Sequence, residues 1–412
     1  MSAEEPITAE PIAEEPITAA ELAALMRELL PIGLDADGAT TRLAWTAEEE
    51  HARRWFGARA RELSRQVERD PAGNLWAVPD GPPPWWAVGS HLDSVLAGGR
   101  YDGALGVVVA FAVAAREPVA VIAFADEEGA RFNTPTFGSR ALLGRLDVED
   151  AMQRSDAAGE RLRDAFLAAG LDPDELASAP DGLARMRGLL ELHIDQTREV
   201  AHTNAPVAIV SGLAARMRTQ VLVQGRADHA GTTQRDERHD ALAAAARVIV
   251  RGDELSASTG GMLFTAARIE VEPNAPSTVP ERVRLWLDAR APEAEKIESW
   301  RDRLEDSARA IARECGVTVE LRTAAMSVGT QMSEHVREVL RDSAASAAGV
   351  ASAQEILCWA GHDAGVLAQA VPTGMVLVRN PTGISHAPEE DVSLEDAAVG
   401  ANVILRAVRA LT

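Results

Sequence analysis

The chain has 412 residues, 46% hydrophobic and 25% charged, a length and balance that fit one large or two ordinary globular domains with buried cores. A formal net charge of −22 makes nucleic acid and anionic membrane surfaces poor partners, and no apolar run reaches membrane-spanning length. The N-terminus lacks the basic-then-apolar order of a signal peptide, and Cys315 and Cys358 lie outside any paired motif, so a soluble cytoplasmic protein with reduced thiols is expected.

Residues 1–19 read as a disordered acidic leader, in which EEPITA recurs at a ten-residue offset with proline blocking regular helix. From 20 to 212, helical patterns alternate with the short apolar strands NLWAVP, WWAVGS, VAVIAFA and GLLELHI. That rhythm predicts an α/β domain with a mostly parallel sheet, whose functional groups gather past the carboxyl ends of the strands. Over 213–327 the order becomes β-α-β-β-α-β, a split βαβ layer of ferredoxin-like type inserted into the larger domain. The α/β pattern then resumes over 328–412, and a cleft between the two domains is the expected binding site.

Several polar residues fall at the strand ends. GSHLDSV places His91 directly after a strand, with Asp93 two residues on to receive the second ring N–H of a metal-bound histidine. Eleven residues after His91, Asp102 sits between glycines at the start of a helix, where its two oxygens can bridge two cations or simply cap the helix. FADEEGARF follows another strand, and its adjacent glutamates suit a division of labour: Glu128 on a metal, Glu127 free to move a proton. An extended chain there would make the two side chains diverge. ELHIDQ adds His193 and GISHAPEE adds His386, completing five nitrogen and oxygen donors for two divalent ions. With no thiolate among them the set suits zinc first, with manganese, cobalt or nickel compatible.

The fragments GSHLDSVLAGGRYDGALGV, FADEEGARF, FGSRALLG, ELHIDQ, GRADHAGTT, AGHDAGVLA and GISHAPEE, in this order, resemble the amidase, hydantoinase and carbamoylase group of the dinuclear metallopeptidase superfamily. The resemblance spans position 20 to the C-terminus. It implies that Asp102 bridges the metals, that His91 and His193 complete one site, that Glu128 and His386 also bind metal, and that Glu127 is the general base and then acid. It further implies that His229 polarises the scissile carbonyl, that Asn274 and Arg290 hold the substrate carboxylate, and that Gln196 contacts the substrate near the metals. A homodimer through the inserted lid domain is implied as well.

The activity implied is hydrolysis of the carbamoyl C–N bond of an N-carbamoyl-L-amino acid. Allantoate, β-ureidopropionate or an N-acyl amino acid are alternative substrates, and a non-catalytic binding protein on the same scaffold is a remote one. The chain departs from the group's usual pattern at Asp195, at Thr197-Arg198, at Cys358-Trp359 and over Arg379–Thr382. None of these removes a donor or the base, and all are candidates to reshape the substrate pocket.

Overall fold

The computed structural model describes residues 15–347 and 353–412, which form two compact units. One comprises the chain up to Val210 with Met332–Ile356 and His362–Thr412, and the other Ser211–Gln331 with Leu357–Gly361. Residues 1–14 of the expected leader lie outside the described residues. From Glu15 the chain is placed, and the second EEPITA copy is structural: Ile17 is 2% exposed and exchanges two backbone hydrogen bonds with the Asn402 side chain. Thr18 then caps the helix Ala19–Leu29 by accepting the Glu21 N–H.

The sheet of the first unit contains β1 (Gln66–Arg69), β2 (Leu75–Val78), β3 (Trp85–His91), β4 (Ala120–Phe124), β5 (Met186–Ile194) and β6 (Val207–Leu213, which runs on into the second unit), with a late strand near the C-terminus. The second unit supplies β7 (Ala215–Gln224), β8 (Asp228–His229), β9 (Leu263–Glu272), β10 (Thr278–Val279), β11 (Arg282–Ala291), β12 (Thr318–Ser327) and β13 (Thr330–Gln331). The chain then passes through β14 (Glu355–Cys358) to the late strand, β15 (Thr373–Val378).

In the first sheet the order β1-β2-β4-β3-β5-β15-β6 puts four parallel strands, β4, β3, β5 and β15, at the centre. Antiparallel pairs flank them. Central strands buried on both faces must be apolar throughout, and β4 is AVIAF with every residue buried. Helices Ala19–Leu29, Ala104–Ala114, Glu334–Ser346 and Leu394–Leu411 share one apolar cluster with Val88, Val121, Leu190 and Val376. Parallel strands all point one way, so β3, β4 and β5 deliver their carboxyl ends to the same edge. That edge carries the polar residues described below.

The second unit has the strand order β12-β7-β11-β9, antiparallel throughout, with helices Ala241–Ala257 and Ala294–Cys315 as its two crossovers. This is the ferredoxin-like arrangement that the β-α-β-β-α-β order predicts. Strand β11 alternates buried and half-buried residues along its length, the mark of a sheet covered on one face. Val221, Val223, Leu285 and Leu287 meet Val248, Ile297, Trp300 and Leu304 on the covered side.

Candidate metal centre

His91 is the last residue of β3, and its ring is fully buried. Its Nδ1 lies 3.0 Å from the backbone carbonyl of Asp93, which can only accept, so Nδ1 carries a proton and Nε2 is the nitrogen turned towards Asp102 and Glu127. Burial disfavours the charged ring, but the carboxylates of Glu127, Asp102 and Asp93 push it well above the usual histidine range. The Asp93 carboxylate is farther from that ring nitrogen, at 3.6 Å. It is occupied elsewhere, accepting the N–H groups of Glu127 (3.2 Å) and Glu128 (3.1 Å). The orienting partner expected of the Asp93 side chain is therefore its carbonyl, and the side chain instead shapes the turn that carries the two glutamates.

Asp102 lies just ahead of the helix Ala104–Ala114, and Gly103, not Asp102, is the residue at the cap. Gly103 has φ +65°, and a Cβ there would come within 2.4 Å of the His91 ring, so only glycine lets the turn pass this close. One Asp102 oxygen is 2.9 Å from His193 Nε2 and 3.4 Å from His91 Nε2. The other is 3.5 Å from His386 Nε2 and accepts hydrogen bonds from Gln196 Nε2 (2.8 Å) and the Ser385 hydroxyl (2.9 Å).

Strand β4 stops at Phe124 and Asp126 turns to φ +48°, so the chain is not extended at Glu127 and Glu128. The turn still separates them. Glu127 is 6% exposed, with one oxygen 3.9 Å from His91 Nε2 and the other 3.8 Å from His362 Nδ1. Glu128 reaches His386, at 3.3 Å between Oε1 and Nε2. Asp126 accepts a hydrogen bond from the Thr134 hydroxyl at 2.9 Å.

Donor atoms of His91, Asp102 and His193 lie within 4.8 Å of one another, and so do those of Asp102, Glu128 and His386, of His91, Glu127 and Glu128, and of Glu191, His193 and His362. Asp102 is common to the first two. His91 Nε2 and Glu127 Oε1 are buried without a hydrogen bond, as expected of atoms meant for an ion or a reacting molecule. This clustering of histidine and carboxylate donors fits the binding of divalent metal.

The electrostatics agree. Burial pushes the Glu127 carboxyl well above the usual carboxylate range, with His91 opposing the shift. For Asp102 burial acts the same way but loses to its histidine neighbours, His193 foremost, which hold it well below that range. His193 is lowered by burial, yet the Asp102 and Glu191 carboxylates push it up to about 9. His386 rises to about 10 through its hydrogen bonds to Asp102 and Glu128. A buried cation of the protein's own lies nearby: Arg42 donates from Nε to the Leu92 carbonyl (2.8 Å), and burial lowers it to about 10 against the pull of Asp93 and Glu390.

Three contributors were not evident from the sequence. Glu191 lies two residues before His193 on the same side of β5 and faces its Nδ1 at 3.3 Å while accepting the Ser90 hydroxyl at 2.7 Å. His362, from AGHDAGVLA, is 2% exposed with neither ring nitrogen hydrogen-bonded, its ring centre 4.3 Å from that of His193. Burial and the neighbouring His193 charge lower it to about 3, so it is neutral at ordinary pH. Glu390, after His386, accepts the backbone N–H of Asp102 at 3.1 Å. The period-two spacing Glu191-x-His193 was the available signal for the first.

His229, Asn274 and Arg290 belong to the second unit. His229 is exposed and accepts the Gly231 N–H at Nδ1, and Asn274 is exposed. Arg290 is half-buried, donating to Asp288 (2.9 Å) and to the Trp359 carbonyl (2.7 Å). Of the unusual residues, Asp195 is a buried turn-former that accepts the N–H groups of Thr197 and Val200. Arg379 is committed to a two-point contact with Asp396 at 2.8 and 3.0 Å, which ties it to the C-terminal helix.

The profile of peptidase family M20/M25/M40 matches residues 77–410, a stretch that contains every residue of this centre. The chain belongs to that family. Among relatives of this M20 protein, an N-carbamoyl-L-amino acid amidohydrolase of Geobacillus stearothermophilus is 36% identical over 93% of the chain and 96% of the relative. An allantoate amidohydrolase of Bacillus subtilis is 28% identical over 93% and 94%. The crystal structure of an amidase of the hydantoinase/carbamoylase family from Burkholderia multivorans superposes with a TM-score of 0.82 at 28% identity, covering 95% of this chain and 97% of that one.

Proposed function

We propose that this M20 protein is a metal-dependent amidohydrolase that cleaves the carbamoyl C–N bond of N-carbamoyl-L-amino acids, giving the amino acid, carbon dioxide and ammonia. The observation that carries the reading is the pair of donor triplets sharing Asp102, with the buried carboxyl of Glu127 beside His91 and Glu128, its partners in a third group of candidate donors. The amidohydrolase names of the relatives supply the substrate class.

In this reading His91 and His193 would complete one site, Glu128 and His386 the other, and Asp102 would serve both. Two divalent cations held there, zinc first, would supply an acidified water and a Lewis-acid contact for the carbonyl. Glu127 takes the proton of the attacking water and delivers it to the departing amine. Asp93 holds the turn that presents Glu127 and Glu128, and Glu191 fixes the His193 ring. Gln196, beside Asp102, contacts the substrate. His229 stabilises the oxyanion, while Asn274 and Arg290 bind the substrate carboxylate, Arg290 through its planar fork. The ferredoxin-like unit acts as lid and as the homodimer contact, for which the sheet edges β9 and β12 are available.

The test is ammonia release by protein loaded with zinc, manganese or cobalt, on N-carbamoyl-L-amino acids, allantoate and β-ureidopropionate, with amine release followed on N-acyl amino acids. Turnover is expected to be highest on an N-carbamoyl-L-amino acid. A fully metal-loaded protein inert on all four classes would contradict the proposal and favour a binding role.

A further inference from the structure

Two donors of the second triplet, Asp102 and His386, come from distant parts of the chain. Asp102 follows the glycine-rich turn after β3, and His386 lies on a loop near the C-terminus at φ +59°, a left-handed conformation that a histidine holds only when its surroundings impose it. Such donors must be held closely if an ion is to be bound. Glu390 is placed to do this. It is 3% exposed, and its Oε1 accepts the N–H groups of Tyr101 (2.7 Å) and Asp102 (3.1 Å). Its Oε2 is 3.1 Å from the Ser385 hydroxyl, which also reaches Asp102 Oδ2 at 2.9 Å.

The turn makes room for this carboxylate: a Cβ at Gly99 would stand 2.2 Å from Glu390 Cδ. Burying a second carboxylate beside Asp102 is costly, and the backbone bonds it makes offset that cost. We propose that Glu390 is a positioning residue that staples the Asp102 turn to the His386 loop through Tyr101, Asp102 and Ser385, and thereby sets the affinity of the metal site formed by Asp102, Glu128 and His386. The inference rests on the reading that these residues hold a cation.

The test uses full-length protein stripped with chelator, reloaded with zinc, and read by bound-metal content and by competition with a chromophoric chelator. Wild type is expected to hold two ions. Glu390→Ala is expected to keep one at wild-type affinity and to lose at least about tenfold in affinity for the other. Its kcat falls and recovers in excess zinc, while the unfolding midpoint of the metal-free protein stays near wild type. Glu390→Gln, whose amide oxygen can still accept both N–H groups and whose NH2 can donate to Ser385, stays within about threefold of wild type.

Two ions at wild-type affinity in Glu390→Ala would overturn the staple, and so would a Glu390→Gln as deficient as the alanine variant, since charge would then be the operative property. If Glu390→Ala does not fold, Glu390→Asp carries the test, because it keeps the charge but shortens the reach to the Tyr101 and Asp102 N–H groups by one methylene. It must weaken the second ion, and unchanged affinity overturns the proposal. A wild type that never holds two ions contradicts the metal reading itself, a failure distinct from that of the staple.

Discussion

Glu127 and Glu128 share a peptide bond but have different neighbours: His91 and His362 for the first, His386 for the second. Environment rather than residue type distinguishes their proposed roles, and Asp93 holds the turn between them by accepting both of their backbone N–H groups. A similar logic applies to Glu191, which touches no atom of the proposed reaction yet faces the far nitrogen of the His193 ring. Replacing Glu191 with glutamine is expected to weaken metal binding by about 10–100-fold, the usual effect of losing a ligand's orienting carboxylate. Equilibrium dialysis with zinc checks this, and unchanged affinity would show that packing alone orients His193.

The elements that carry the centre were legible because each obeys one local rule. The continuous apolar runs gave β3, β4 and β5, and their ends gave His91, Glu127 and His193. Partners set by long-range contact were not legible. Ile17 lies in a proline-interrupted acidic repeat that reads as solvated, and its place in the core comes from the apolar cluster it joins and from Asn402, at the far end of the chain. His362 and Glu390 likewise look like ordinary loop residues until folding brings them against Glu127 and Asp102. Ile17→Ala should therefore destabilise the protein by about 2–5 kcal/mol, as for other buried Ile truncations. Urea unfolding measures it, and a loss under about 0.5 kcal/mol, typical of surface positions, would return this segment to the leader.

Taken as a whole, the chain carries the proposed functions on separate units, metal donors and proton carrier on the first and His229, Asn274 and Arg290 on the second. Defects should divide accordingly. Arg290→Lys keeps the charge but loses the planar fork, and is expected to lower kcat/KM by about 10–100-fold, chiefly through KM, with metal content intact. Steady-state kinetics beside metal analysis test this, and an unchanged KM would remove Arg290 from substrate binding. Chelator treatment should abolish turnover, and restoring divalent metal should return it. Retained turnover in a metal-free preparation would contradict a metal mechanism.

The most direct measurement compares Glu127→Gln with Glu128→Gln for bound metal and for turnover of the best substrate. Glu127→Gln is expected to keep two ions and lose about 10²–10⁴-fold in kcat, and Glu128→Gln to lose affinity for one ion. If Glu127→Gln turned over normally, or if both variants lost metal alike, the division of labour at Glu127-Glu128 would be wrong.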